Sequence, residues 1–234
     1  MKKNKMMRAA SFLLVAVLLT TSVISGTFAK YVTTATGSDS ARVAKWGVTV
    51  NPNGELFLTA YEKDDNTFTK ADNTVVSSDT WKLVAPGTTH GLTEVQLTGT
   101  PEVATRVTYD ATLVLGPWSV TSGEYCPIVF TVEGATYGTN DTDATNKYAT
   151  IAALITAVEE AIEDCKEDYA PNTDLSSVST DYPSVSWSWP IETGADDEAK
   201  AANNLKDTEL GNLAASGNHS MIQLTIATTV TQID

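Results

Sequence analysis

The strongest constraint on this chain is a two-residue rhythm. Between Val103 and Leu115, Val107, Tyr109, Ala111, Leu113 and Leu115 fall on one side and mostly polar residues on the other. Successive side chains of a strand point to opposite faces, so this spacing marks a strand with one face on a core. The same rhythm recurs along the chain. Val43 to Val50 places Trp46, Val48 and Val50 together, and Glu55 to Tyr61 places Leu56, Leu58 and Ala60 together. Trp81 to Val84, Leu92 to Leu97 and Cys126 to Val132 are further strand candidates. Val185, Trp187 and Trp189 share a face opposite Ser184, Ser186 and Ser188. Ser220 to Ile233 closes the series, with Ile222, Leu224, Ile226, Thr228 and Val230 as its core face.

Turn residues punctuate these runs. Pro86-Gly87 suits a type II turn, because proline presets one dihedral and glycine accepts a positive φ at the next. Gly116-Pro117 and Pro190 end two other runs. One segment keeps a different period. From Thr150 to Asp168, Ile151, Leu154, Ile155, Val158, Ile162 and Cys165 recur every three or four residues, with Glu159, Glu160, Glu163 and Lys166 outside the stripe. That predicts one amphipathic helix, ended before Pro171. Glu192 to Leu213 is acidic, lacks periodicity and reads as loop. About eight strands and one inserted helix imply a mainly β fold, an antiparallel two-sheet sandwich with jelly-roll topology as the specific expectation. A domain of about 200 residues buries enough surface to fold without metal or disulfide.

The first 29 residues follow another logic. Lys2, Lys3, Lys5 and Arg8 precede the apolar run Phe12 to Leu19, and small residues lead to Thr27-Phe28-Ala29. This is the order of a secretory signal peptide, with Thr27, Phe28 and Ala29 as the cleavage site. The apolar run is well short of the ~20 residues of a membrane-spanning helix. The expected organisation is a cleaved signal at 1–29, an N-terminal segment with a hinge at 30–40, and a domain at 41–234. The whole chain has 15 basic and 29 acidic residues, a net charge of −14. Cleavage removes four basic residues and leaves −18. Such a balance argues against nucleic-acid binding and favours a soluble, self-repelling chain.

Motifs for chemistry are missing. There is no His-Glu-x-x-His, no Gly-x-Ser-x-Gly and no phosphate loop. His90 and His219 each begin a strand candidate, where a surface histidine is the plain reading. Cys126 lies in an apolar context and Cys165 on an acidic helix, which disfavours a thiolate nucleophile; export permits a disulfide between them but spacing does not establish one. The run Asn140 to Asp143 and the group Glu192, Asp196, Asp197 and Glu198 carry clustered oxygens without EF-hand spacing. Trp187 and Trp189 read as core, with sugar stacking the alternative. No catalytic, metal or cofactor residue is assigned.

The stretch Ser25 to Val50, SGTFAKYVTTATGSDSARVAKWGVTV, resembles the N-terminus of the TasA/camelysin family of exported Gram-positive proteins. Phe28-Ala29, the Ser38-to-Lys45 piece SDSARVAK and the strand through Trp46 carry the likeness. Leu83 to Pro86-Gly87 and the closing strand Asn218 to Gln232 are similar to the family as well. The resemblance implies cleavage by a SipW-type signal peptidase, a jelly-roll domain, and a secreted protein of the extracellular matrix or cell surface. It implies assembly into biofilm fibres by donor-strand complementation, with the chain itself as head-to-tail partner and other matrix proteins or polysaccharide as further ones. The residues agree: Lys30, Tyr31, Val32, Thr33, Thr34, Ala35 and Thr36 form a β-competent segment directly after the cut, and Gly37 to Ser40 offers a hinge. Taken without the resemblance, the same segment also reads as a frayed terminus. Camelysin-like members suggest a cell-surface metallopeptidase as the alternative, and a surface adhesin or accessory fibre subunit is a third reading.

Overall fold

The computed structural model describes residues 41–53, 55–62, 73–92, 94–178 and 183–233. The signal segment and Lys30 to Ser40 lie outside these residues. Residues 44–234 form one compact unit.

In chain order the strands are β1 (Thr49–Asn53), β2 (Ala60–Glu62), β3 (Asn73–Val76), β4 (Thr89–Leu92), β5 (Glu94–Thr98), β6 (Thr105–Gly116), β7 (Ser119–Val120) and β8 (Gly123–Glu124). They continue with β9 (Val129–Val132), β10 (Ala135–Thr139), β11 (Asn146–Tyr148), β12 (Glu167–Tyr169), β13 (Val185–Ser188) and β14 (Met221–Gln232). Among the described residues there are two α-helices, α1 (Ile151–Glu163) and α2 (Asp197–Ala215). The chain is mainly β. A five-stranded sheet has the order β11-β10-β9-β13-β4 and a three-stranded sheet the order β12-β6-β14. β1-β5, β2-β3 and β7-β8 make two-stranded sheets. All pairs are antiparallel except β10 with β11, which is parallel and departs from the all-antiparallel expectation.

The long strand is where its rhythm placed it. On β6, Val107, Tyr109, Ala111 and Leu113 are buried and their neighbours face out. Their side chains meet Phe130, Val132, Val185 and Trp187 in one core cluster. α1 packs against β6 and also touches β9, β10 and β11, so it bridges the two larger sheets. Its buried stripe is Ile151, Leu154, Val158 and Ile162, and Thr150 caps its start by accepting from the Ala153 N–H at 3.2 Å. The helix ends at Glu163, short of the expected Asp168. Glu167 to Tyr169 instead pair with β6, where Arg106 grips Asp168 through two hydrogen bonds of 2.6 and 2.7 Å.

Three expected strands are mostly irregular. Residues 43–48 carry no regular structure, and pairing begins only at Thr49. The segment 55–59 meets its neighbour through a single bridge, Leu58 with Leu83, and Trp81 is 72% exposed. Side chains hold this region in place of a ladder. The Trp187 indole N–H donates to Leu56 O at 2.6 Å, while Phe57 and Tyr61 pack on its rings at 5.4 and 5.8 Å. The Tyr61 hydroxyl accepts from the Leu58 N–H and donates to Leu83 O, both at 2.9 Å. The Pro86-Gly87 turn forms as expected: Gly87 has φ +83°, and the Thr88 N–H donates to Ala85 O at 3.1 Å.

The largest correction is α2, which replaces the loop expected over Glu192 to Leu213. Its local signals are clear. Asp196 caps it by accepting from the Ala199 N–H at 2.8 Å, Asp197 and Glu198 oppose the helix dipole in the first turn, and Ala, Lys and Leu favour helix within. Only Asn203 and Leu210 are buried, so no apolar stripe betrays it. Polar bonds dock it instead. Asn203 donates to Thr193 O and Asp141 O at 3.0 and 3.1 Å. Asp207 accepts from the Tyr125 hydroxyl at 2.7 Å and from the Trp189 indole at 3.2 Å.

Trp187 is 1% exposed, so Trp187→Ala is expected to cost about 3–5 kcal/mol in urea unfolding. Burial raises the Asp207 pKa above 3.8 despite the two donors on its carboxylate. The fold therefore favours the protonated acid, and that contribution is lost as pH rises through the folded pKa. Asp207→Asn is expected to flatten this decline, gaining on wild type as pH rises from acid to neutral. Asp207→Ala strands the Tyr125 and Trp189 donors and is expected to cost about 1–3 kcal/mol in the same assay.

Candidate assembly edge

The sequence-predicted assembly residues Lys30, Tyr31, Val32, Thr33, Thr34, Ala35 and Thr36, and the cleavage residues Thr27, Phe28 and Ala29, all lie outside the described residues. What the structure defines is the kind of surface that such a segment needs. That surface is the free side of β14.

β14 pairs with β6 over twelve residues, from Met221 opposite Gly116 to Gln232 opposite Thr105, with no shift of register. Its start is pinned by the Trp118 indole, which donates to Met221 O at 3.0 Å, and by Ser220, whose hydroxyl donates to Pro117 O at 2.7 Å. Beyond its end the Ile233 N–H donates to Ala104 O at 3.0 Å. That bond fixes the phase of the ladder, since hydrogen-bonded and non-hydrogen-bonded pairs alternate along antiparallel strands. Met221, Gln223, Thr225, Ala227, Thr229 and Thr231 bond inward to β6. Ile222, Leu224, Ile226, Thr228, Val230 and Gln232 direct N–H and C=O away from it. β6 confirms the phase on its opposite side, where the Leu113 N–H points away from β14 and donates to Glu159 of α1 at 2.8 Å.

The first five of these outward-directed residues are also the sequence-predicted core face. They do face inward, but all five are half-buried, whereas their β6 partners Val107, Tyr109, Ala111 and Leu113 are buried. The core thins at this edge. No strand pairs with the free side of β14 among the described residues. Nor does the strand carry the usual protection of an edge, namely charges, proline or a bulge. Its sequence, MIQLTIATTVTQ, has no ionisable side chain, proline or glycine. The other terminal strands of the larger sheets are three or four residues long, and β12 carries Glu167 and Asp168. β1 and β5 have five residues, and β1 contains Pro52.

The remaining candidates are absorbed into structure. Trp187 and Trp189 are 1% and 6% exposed, which removes the sugar-stacking role proposed for them. His90 is half-buried on β4 with its ring edge-on to Tyr61 at 6.4 Å, and His219 is exposed just before β14. No group of three or more His, Cys, Asp or Glu residues is arranged for a metal among the described residues. Asp141 is held by Lys206 at 2.9 Å, and Asp196 to Glu198 begin α2. Both cysteines are free thiols; burial pushes Cys126 up to about 12 and Cys165 up to about 11, with Glu133 and Asp164 adding to the latter. Neither is poised as a nucleophile. Among the described residues no helix is long and apolar enough to cross a membrane.

Comparison with known proteins adds no guide. No family model, curated protein or solved structure matches the chain.

The ladder phase gives a direct expectation for amide hydrogen exchange in dilute protein. The amides of Gln223, Thr225, Ala227, Thr229 and Thr231 should be protected, and those of Ile222, Leu224, Ile226, Thr228 and Val230 should exchange quickly. Uniform protection along β14 would show that its outer side is already occupied.

Proposed function

We propose that this protein is a secreted structural subunit, without an active site, that assembles into extracellular matrix fibres by donor-strand complementation. A jelly-roll arrangement of its sheets and cleavage after Ala29 belong to the same reading. The observation that carries it is the long, uncharged edge of β14, which no strand pairs among the described residues. An open edge offers main-chain hydrogen bonds to any extended segment, and such addition is a known mode of recognition. The donor is the segment Lys30 to Thr36, released as a free end by a SipW-type signal peptidase. Head-to-tail contacts of this type do not close on themselves, so they propagate. The resemblance of Ser25 to Val50 to the TasA/camelysin family supports the same function.

The camelysin-like peptidase reading finds less support. It would need a metal site, and His90 and His219 bring no carboxylate or cysteine cluster with them among the described residues. An accessory rather than major fibre subunit would use the same edge and the same segment.

Electron microscopy of protein beginning at Lys30 tests the proposal. Uniform filaments are expected on concentration. Deletion of Lys30 to Ser38 should abolish them while leaving the tryptophan fluorescence of the folded domain unchanged. Filaments from the shortened protein would refute donor-strand assembly.

A further inference from the structure

We infer that the acceptor site is the outer edge of β14, and that its occupant is the Lys30 to Thr36 segment of a second copy of this chain. This rests on the donor-strand reading and assigns the surface that reading leaves open.

Ile222, Leu224, Ile226, Thr228, Val230 and Gln232 present six N–H and six C=O groups to the free side, where no strand pairs with them among the described residues. The first five also have half-buried side chains, so an added strand completes the core as well as the ladder. In length the edge accommodates the segment. The outward-directed row spans eleven residues, Ile222 to Gln232, and the donor Lys30 to Thr36 has seven. At ~3.3 Å per residue the donor covers about 23 Å and fits within the row. The donor lacks proline and acidic residues, and through Thr36 it also lacks glycine, so nothing in it blocks pairing.

Charge favours this occupant over a second β14. Two copies pairing β14 to β14 would bring two bodies of net charge −18 side by side. The donor segment instead carries Lys30 and the new α-amino group into an acidic partner, with Gly37 to Ser40 as a spacer. The shorter edges of β4, β11 and β12 offer three or four residues each and cannot match a seven-residue donor.

Thr228→Pro is the test. Its N–H points away from β6, so proline removes an outward donor and leaves the β6–β14 ladder bonded. The folded variant is expected to lose filaments, at least about tenfold by sedimentation, as an outward proline blocks edge pairing. Filaments at the wild-type level from folded Thr228→Pro would overturn the assignment, while loss of filaments on deleting Lys30 to Ser38 would leave the donor-strand reading standing.

Hydrogen exchange on the unaltered chain beginning at Lys30 provides a second readout that needs no variant to fold. The amides of Ile222, Leu224, Ile226, Thr228 and Val230 should gain at least about tenfold protection between dilute and concentrated protein, as in formation of a paired strand. Excess synthetic KYVTTATGS peptide should protect the same five in dilute protein. Protection independent of concentration would mean that the chain covers its own edge, and would overturn the second-copy occupant. Concentration-dependent protection that survives deletion of Lys30 to Ser38 would mean that β14 pairs with β14, and would overturn the donor. No protection under any of these conditions would overturn the edge itself.

Discussion

The fold depends on the ladder between β6 and β14. β6 gives one face to the core, one side to β14, and its other side to β12 and Glu159 of α1. Its pairing with β14 joins residues more than a hundred positions apart along its whole length. Such non-local pairing pays loop-closure entropy before it is rewarded, so it forms only with the core around it. The arrangement is lopsided. Among the described residues β6 is covered on both sides, and β14 on one.

What could be read in the sequence followed how each element is stabilised. β6, α1 and the Val185 to Trp189 run bury apolar residues at regular intervals, and the amino-acid pattern records that directly. α2 docks through Asn203, Asp207 and Glu209, and polar bonds leave no periodic trace. Its start was nonetheless written in Asp196, Asp197 and Glu198, which read as a loop only because an apolar stripe was the sole criterion for a helix. The segment 55–61 failed for the opposite reason. Its apolar residues alternate, but they serve the Trp187 indole, and the backbone bonds that would make a strand go elsewhere.

The candidate site was half legible. The alternation in Ser220 to Ile233 identified the face of β14 that turns inward. It could not show that this face is only half covered, because coverage depends on which strand lies beside it. Nor could it show the ladder phase, which comes from one bond beyond the strand end, Ile233 to Ala104. In this strand the inward-facing residues are also those whose main-chain groups face the open edge. Apolar surface and unpaired backbone therefore coincide along one line.

That coincidence bears on why an unguarded edge is tolerable. Natural sheets blunt their edges because a flat, uncharged strand recruits any extended chain. Here the body supplies the protection that the strand lacks. The chain's net charge of −14, which cleavage after Ala29 would take to −18, opposes side-by-side approach of two bodies, and it acts most strongly on contacts that bring whole domains together. In the assembly proposed above, a short terminal segment would escape most of that repulsion, since only the segment has to reach the edge. On the same proposal, cleavage after Ala29 would make that segment available, and β14 would be inert toward most of its own kind and receptive to one part of it. The repulsion is screened by salt, so high ionic strength should weaken the barrier to edge-to-edge pairing more than it weakens an uncharged ladder.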